Sequence, residues 1–186
     1  MIGVLVSGSG TNLQALIDDG LPITAVAANV PGVWALERAE RAGIPTAVFP
    51  LEDYPSREAR DLAMADWLEE HGARLVVCAG YMHLLTPAFL ARFPRSVINV
   101  HPSLLPAFPG THAVQDALAA GATETGVTVH EVDEGVDTGP VIAQERVPIL
   151  PDDTQETLLE RLHEVEHRLL ARATRDVLAR ALDSRV

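Results

Sequence analysis

The stretch LVVCA, Leu75–Ala79, is apolar at every position, and a strand of that kind has to be buried on both faces. Few architectures meet that demand other than a sheet with helices covering both sides. The flanking pattern supplies those helices. Ile2–Val6 is a β-type run, followed by the small-residue loop SGSGTN (7–12) and by Leu13, Leu16 and Ile17 at helical spacing, with Gly20 as the stop. Ile23–Ala28 reads as a second strand, 33–42 as a helix closed by Gly43, and 46–49 as a third strand. The spacing predicts an amphipathic helix over 56–71, with Ala59, Leu62, Ala63 and Trp67 on its apolar face and Gly72 at its end. Thr86-Pro87 opens a short helix through Phe93. This alternation predicts an α/β fold: single-domain, Rossmann-like, with a mostly parallel sheet flanked by helices.

Beyond the run Val97, Ile98, Val100 the pattern continues. A helix is expected from Ala113 to Ala120, with 121–126 as a connection, and a strand at Val127, Val129 and His130. The carboxylate-rich loop EVDEGVDTGP (131–140) and a strand over 141–147 come next. Asp153 with Glu156 reads as a capping box that launches a long C-terminal helix from Thr154 toward Leu182. Its apolar stripe is Leu158, Leu162, Val165, Leu169 and Ala173; Glu166 lies beside it, as a carboxylate at the stripe's edge reaching solvent. His163 and His167 stand at i,i+4, but with no third ligand nearby they read as part of a solvated face rather than a metal grip.

The bulk numbers exclude several classes. A length of 186 residues suits one domain, and 47% apolar with 22% charged residues is an ordinary globular balance. No apolar run approaches the ~18 residues of a membrane helix, and the N-terminus reads as a first strand rather than a signal peptide. The single cysteine, Cys78, excludes an internal disulfide and fits a cytoplasmic location; in its apolar setting it reads as a buried small residue. A net charge of −12 argues against nucleic-acid binding. It permits a small phosphorylated ligand, because backbone amides at a helix start hold phosphate whatever the global charge. All 14 basic residues are arginine, so lysine Schiff-base chemistry and a Walker-type lysine are ruled out.

Two stretches are candidates for chemistry. SGSGTN has the strand–loop–helix setting of a phosphate cradle without being GxGxxG or GxxxxGK, and a tight turn that simply favours Gly and Ser stays an open alternative. In SVINVHPSLLPAFPGTH (96–112), Asn99 and His101 are two apart on a strand end and share a face, an amide donor beside a titratable imidazole. Acyl transfer uses such a pair, although Asn, His and Pro are also common loop residues. Both stretches follow strands and are expected at the same sheet edge. His130 and Asp137 complete the set. A zinc site from His101, His130 and Asp137 lacks tight ligand spacing, so no metal is expected. A Ser-His-Asp hydrolase using Ser103 lacks the GxSxG elbow. An aspartate close to His101 would favour the imidazolium, which together with Asn99 could stabilise an oxyanion.

Taken together, Asn-Val-His-Pro-Ser-Leu-Leu-Pro (99–106), the SGSGTN loop and DEGVDTGP (133–140) resemble the phosphoribosylglycinamide formyltransferase family, the folate-dependent glycinamide ribonucleotide transformylases of purine synthesis. The resemblance covers nearly the whole chain. It implies one formyltransferase domain over 1–186, with a phosphate-binding half of about 1–95 and a catalytic and folate-binding half of about 96–186. It implies transfer of a formyl group from 10-formyltetrahydrofolate, as co-substrate, to the primary amine of glycinamide ribonucleotide, by a monomer or homodimer. The implied catalytic residues are Asn99, His101 and Asp137. Gly10, Thr11, Asn12 and Glu166 would bind glycinamide ribonucleotide, Glu166 at the ribose. Arg57, Tyr81, Met82, His83, Leu84, Leu85, His130, Val132, Asp133 and Glu134 would bind folate. His83 stands where members often carry Arg, and Ala107 where they often carry Lys or Arg. The alternatives are another formyltetrahydrofolate enzyme, such as a hydrolase or a methionyl-tRNA formyltransferase, or a Rossmann-like module binding a phosphometabolite. The first two would be expected to carry a further domain, and the third has no use for the catalytic triplet.

Overall fold

The computed structural model describes residues 1–183, which fall into two compact units, Met1–Ile98 and a second that begins at Asn99. In unit 1 the expected alternation holds: β1 (Ile2–Val6), α1 (Thr11–Asp18), β2 (Ile23–Ala28), α2 (Trp34–Arg41), β3 (Thr46–Val48), a 3₁₀ turn at Leu51–Asp53, α3 (Arg57–Glu70), β4 (Leu75–Cys78) and α4 (Pro87–Arg92). β1 pairs in parallel with both β2 and β4, and β2 pairs in parallel with β3. Ile2, Val4, Leu5 and Val6 are completely buried, as a strand covered on both faces must be. The chain winds outward from β1 through β2 to β3, then returns to place β4 on the other side of β1. That reversal creates a switch point, beyond whose carboxyl ends ligands of such sheets bind.

β5 (Val97–His101) passes from unit 1 into unit 2. Unit 2 adds α5 (Ala113–Ala119), β6 (Glu124–Glu131), β7 (Val141–Pro148) and α6 (Gln155–Asp183). Among the described residues the strand order is β3-β2-β1-β4-β5-β6-β7, with β6 and β7 antiparallel. The fold is the expected α/β class with a mostly parallel sheet. No helix of the described residues is long and apolar enough to cross a membrane.

Four local expectations need correction. In α3 the buried residues are Arg60, Asp61, Met64, Ala65 and Leu68, not Ala59, Leu62, Ala63 and Trp67. Arg60 and Asp61 neutralise each other at 2.7 Å, so two charges occupy the face that hydropathy assigns to alanine and leucine. Trp67 packs at the margin on Phe49 and His71, with ring centroids 6.0 Å and 4.3 Å away. In α6 the buried stripe is Leu158, Leu162, Glu166, Leu169, Leu170, Ala173 and Thr174. Glu166, 6% exposed, lies inside the stripe, and Val165 is only half-buried at its edge. β6 begins at Glu124, within the stretch expected to be a connection, because Thr125 and Gly126 pair with β7.

The cap of α6 also differs. Thr154 Oγ1 accepts from Thr157 N–H (3.2 Å), and Thr157 Oγ1 accepts in turn from Thr154 N–H (3.0 Å). Asp153 is drawn away by Arg161 and by the Leu150 N–H, and these bonds, Arg161 first, hold its carboxyl far below the usual carboxylate range. The reciprocal box is therefore Thr154/Thr157. We expect Thr154→Ala to cost about 1 kcal/mol, read as a fall of roughly 2–4 °C in Tm by calorimetry, while Glu156→Ala leaves Tm unchanged. The opposite ranking would restore Asp153/Glu156 as the cap.

Candidate active site

Unit 2 assembles its polar residues around the end of β5. Period-two alternation puts Asn99 and His101 on one face, and His101 is 5% exposed. The Pro-rich loop that follows is fixed from below. Thr128 Oγ1 donates to Ser103 C=O (2.7 Å) and accepts from Leu105 N–H (3.1 Å). Gln144 Nε2 reaches both Leu105 C=O (2.8 Å) and Thr128 Oγ1 (2.9 Å). The loop thus presents the Phe108 carbonyl 2.8 Å from His101 Nε2. A carbonyl only accepts, so Nε2 carries a proton, and Nδ1 is turned toward Asp137.

Asp137 sits at φ +54, a left-handed conformation unusual for a residue with a side chain. Its loop is drawn tight by Asp133, whose Oδ1 accepts from Gly135 N–H (3.0 Å) and Thr138 Oγ1 (2.6 Å). A side chain on Gly139 would collide with the Glu131 carbonyl, so only glycine permits this closure. Asp137 Oδ2 accepts from Gly110 N–H at 2.8 Å and lies 3.4 Å from His101 Nδ1. Its Oδ1 lies 3.6 Å from His130 Nε2. His130 Nδ1 donates to the Glu131 carbonyl (2.8 Å), and its Nε2 meets Asn99 Nδ2 at 3.3 Å. One carboxylate therefore lies between two buried imidazoles, with the Asn99 amide beside one of them.

The electrostatics follow from those contacts. The His130 imidazole, then the Gly110 N–H and the His101 charge, hold the Asp137 carboxyl below the ordinary range, against the opposing effect of burial. At 3.6 Å the His130 contact is too long for a formed hydrogen bond, so the 2.8 Å Gly110 bond is the firmer anchor. The arrangement keeps a carboxylate ionised at neutral pH and sets it between two imidazoles. That is what a reaction passing through a charged tetrahedral centre requires.

In unit 1, Gly10 is the N-cap of α1 at φ +74, and the helix start has neither a side-chain cap nor an acidic residue in its first turn. A Cβ on Gly10 would lie 2.6 Å from Ala35 Cα, so glycine is required there. Arg38 Nε holds the Ser9 carbonyl at 2.8 Å, and Thr11 and Asn12 are half-buried at the helix start.

Residues 1–174 match the family model described as formyl transferase. The chain belongs to the formyl transferase family. It is 48% identical over 174 residues to the phosphoribosylglycinamide formyltransferase of Mycobacterium tuberculosis, covering 91% of this chain and 81% of that one. It is 47% identical over 182 residues to the trifunctional purine biosynthetic protein adenosine-3 of Chironomus tentans; there the match takes in 94% of this chain but spans only 13% of the relative's length. The crystal structure of phosphoribosylglycinamide formyltransferase from Bacillus halodurans superposes with a TM-score of 0.93 at 41% identity, covering 97% and 96% of the two chains.

The remaining candidates of this formyl transferase sort by environment. Met82 (63%) and Leu84 (52%) are exposed, whereas the Leu85 side chain belongs to the core. Arg57 and Glu134 are exposed and Val132 is half-buried. His130, expected with the folate loop, lies in the Asn99–Asp137 cluster. Glu166 is buried on α6. Ser103 gives its hydroxyl proton to the Ala107 carbonyl (2.6 Å), which removes it as a nucleophile for His101. Burial pushes the Cys78 thiol up to about 12. Sequence reasoning missed the Phe108 carbonyl, the Gly110 amide, Thr128 and Gln144, whose polar partners are set only by folding.

Because Asp137 titrates lower in the native state than in the unfolded chain, its contribution to stability is complete above the unfolded value of ~4 and is lost as pH falls through the native value. We expect urea titrations to show a constant stability gap between wild type and Asp137→Asn from pH 8 to 5, closing below about pH 4. A gap that widens in acid would contradict the assigned pairing.

Proposed function

We propose that the chain transfers the formyl group of 10-formyltetrahydrofolate to the primary amine of glycinamide ribonucleotide, giving formylglycinamide ribonucleotide and tetrahydrofolate. The observation that carries the reading is the cluster in which Asp137 lies against the buried His101 and His130 imidazoles and Asn99 meets His130, in a formyl transferase whose 48%-identical relative bears the name of that activity. The substrate amine attacks the formyl carbon. Asn99 has an amide hydrogen beyond the one facing His130, and it donates to the developing oxyanion. His101, paired with Asp137, adds positive charge beside it. Asp137 takes part in moving the amine's proton toward the departing folate nitrogen, directly or through water. Holding both substrates converts a bimolecular encounter into an oriented attack, a contribution that reaches several kcal/mol in general.

Gly10, Thr11 and Asn12 bind the nucleotide phosphate at the start of α1, with Glu166 at the ribose hydroxyls. The acceptor role explains why a carboxylate is kept inside an apolar stripe. Met82 and Leu84 are the apolar contacts for the folate, Arg57 meets its glutamate tail, and the 132–134 segment lines the pterin. The chain works in the cytoplasm, without a metal.

The deciding assay follows folate absorbance with and without glycinamide ribonucleotide. Turnover only with the nucleotide supports the transferase; folate loss without it indicates a hydrolase, and binding without turnover a sensor module. His101→Ala and Asp137→Asn are each expected to lower kcat about 10²–10³-fold with an unchanged circular dichroism spectrum. Near wild-type rates in both would overturn the mechanism. Glu166→Ala is expected to raise the apparent KM for the nucleotide; an effect confined to folate would refute its placement.

A further inference from the structure

Residues 79–86 carry no helix or strand, so something other than backbone pairing must hold them. Along this segment the side chains alternate: Tyr81 buries its hydroxyl, His83 turns toward α3 and Leu85 enters the core, while Met82 and Leu84 are exposed. A circuit of hydrogen bonds fixes the inward side. Met82 N–H donates to Ser7 Oγ (2.9 Å), and Ser7 O–H donates to Asn29 Oδ1 (2.6 Å). Asn29 Nδ2 then faces His83 Nδ1 at 3.5 Å. Arg60 Nη1 donates to the same nitrogen at 3.2 Å, Arg60 Nε donates to Asp61 Oδ1 at 2.7 Å, and Asp61 Oδ2 accepts from Thr86 N–H at 2.8 Å. The circuit enters the segment at Met82, leaves it at Thr86 and closes through His83. A guanidinium has no lone pair to offer, so His83 Nδ1 is the acceptor and the ring proton is on Nε2.

Arg60 and Asp61 are completely buried, and Arg60 Nη2 has no partner among the described residues. A buried ion pair with an unmet donor contributes little to stability. Its effect here is on geometry.

We propose that Arg60 and Asp61 are positioning residues which, through His83 and Thr86, hold residues 81–86 so that Met82 and Leu84 face the formyl donor, and that this hold exists only while His83 is neutral. The proposal rests on the reading of this segment as donor-binding. A proton on Nδ1 would replace the acceptor with a donor, facing two other donors, the Asn29 amide and the buried Arg60 guanidinium. The charged and titratable groups around His83 are Arg60, Arg57 and Asp61 from α3, and Tyr81 from its own segment. Burial first, then the two arginines, hold His83 below the ordinary imidazole range. The segment is therefore fixed at neutral pH and released as pH falls below about 6.5.

Amide hydrogen exchange at Met82 and Thr86, corrected for intrinsic rates, tests this at pH 7.5 and pH 5.0. In wild type, protection is expected to fall about tenfold in acid, the scale of one lost charge-assisted bond. His83→Asn, whose Oδ1 replaces Nδ1 as a non-titrating acceptor, is expected to show no such fall, and His83→Leu to lack the protection at both pH values. The apparent KM for 10-formyltetrahydrofolate is expected to rise in acid in parallel with exchange in wild type but not in His83→Asn, with no matching change in KM for glycinamide ribonucleotide. Constant protection in wild type, acid loss in His83→Asn, or wild-type protection in His83→Leu would each overturn the proposal. Absence of turnover in wild type would count against the proposed activity alone, since the exchange measurements decide the positioning device without it.

Discussion

One carboxylate organises unit 2. Asp137 receives the Gly110 N–H and lies against two imidazoles, so a single charge fixes the Pro-rich loop after β5, the end of β6 and its own loop relative to one another. The cost of burying that charge is met by three partners rather than one. The strained backbone at Asp137, the compact Asp133 turn and the crowding at Gly139 all serve its position. The same contacts that settle the fold of the loop leave the carboxylate ionised, so fold and electrostatics draw on the same bonds.

Unit 1 solves a different problem by related means. Its sheet needs no buried charge, since β1 and β4 are apolar on both faces. The charges appear where the backbone stops pairing. Arg38 holds the Ser9 carbonyl beside the start of α1, and Arg60 with Asp61 holds residues 82 and 86 through side chains. In both places arginine serves as a rigid multi-donor fork rather than a point charge, which suits a chain without lysine.

The alternation of strands and helices was legible because its signals are local. A both-face apolar run, small residues at turns and helical spacing each report on a few neighbours. The Asn99–His101 pair was legible for the same reason, since period-two geometry is a property of any strand. The errors arose where a polar residue is buried by a distant partner. Arg60, Asp61 and Glu166 look like solvent-facing positions, and the faces of α3 and α6 were misread by the angle those residues subtend. Asp153 looked like a cap until Arg161, two turns along the helix, claimed its oxygens.

By itself, the sequence determined the order and type of the elements, the α/β class and which residue types were available for acyl-transfer chemistry, because these depend on interactions within a few residues. Tertiary structure alone decided that His130 joins Asn99 and Asp137, that Ser103 is spent on the Ala107 carbonyl, and that His83 accepts from Arg60. Each of those facts depends on which donor meets which acceptor across a turn or between strands. Such pairings cost loop closure and desolvation that no local pattern records.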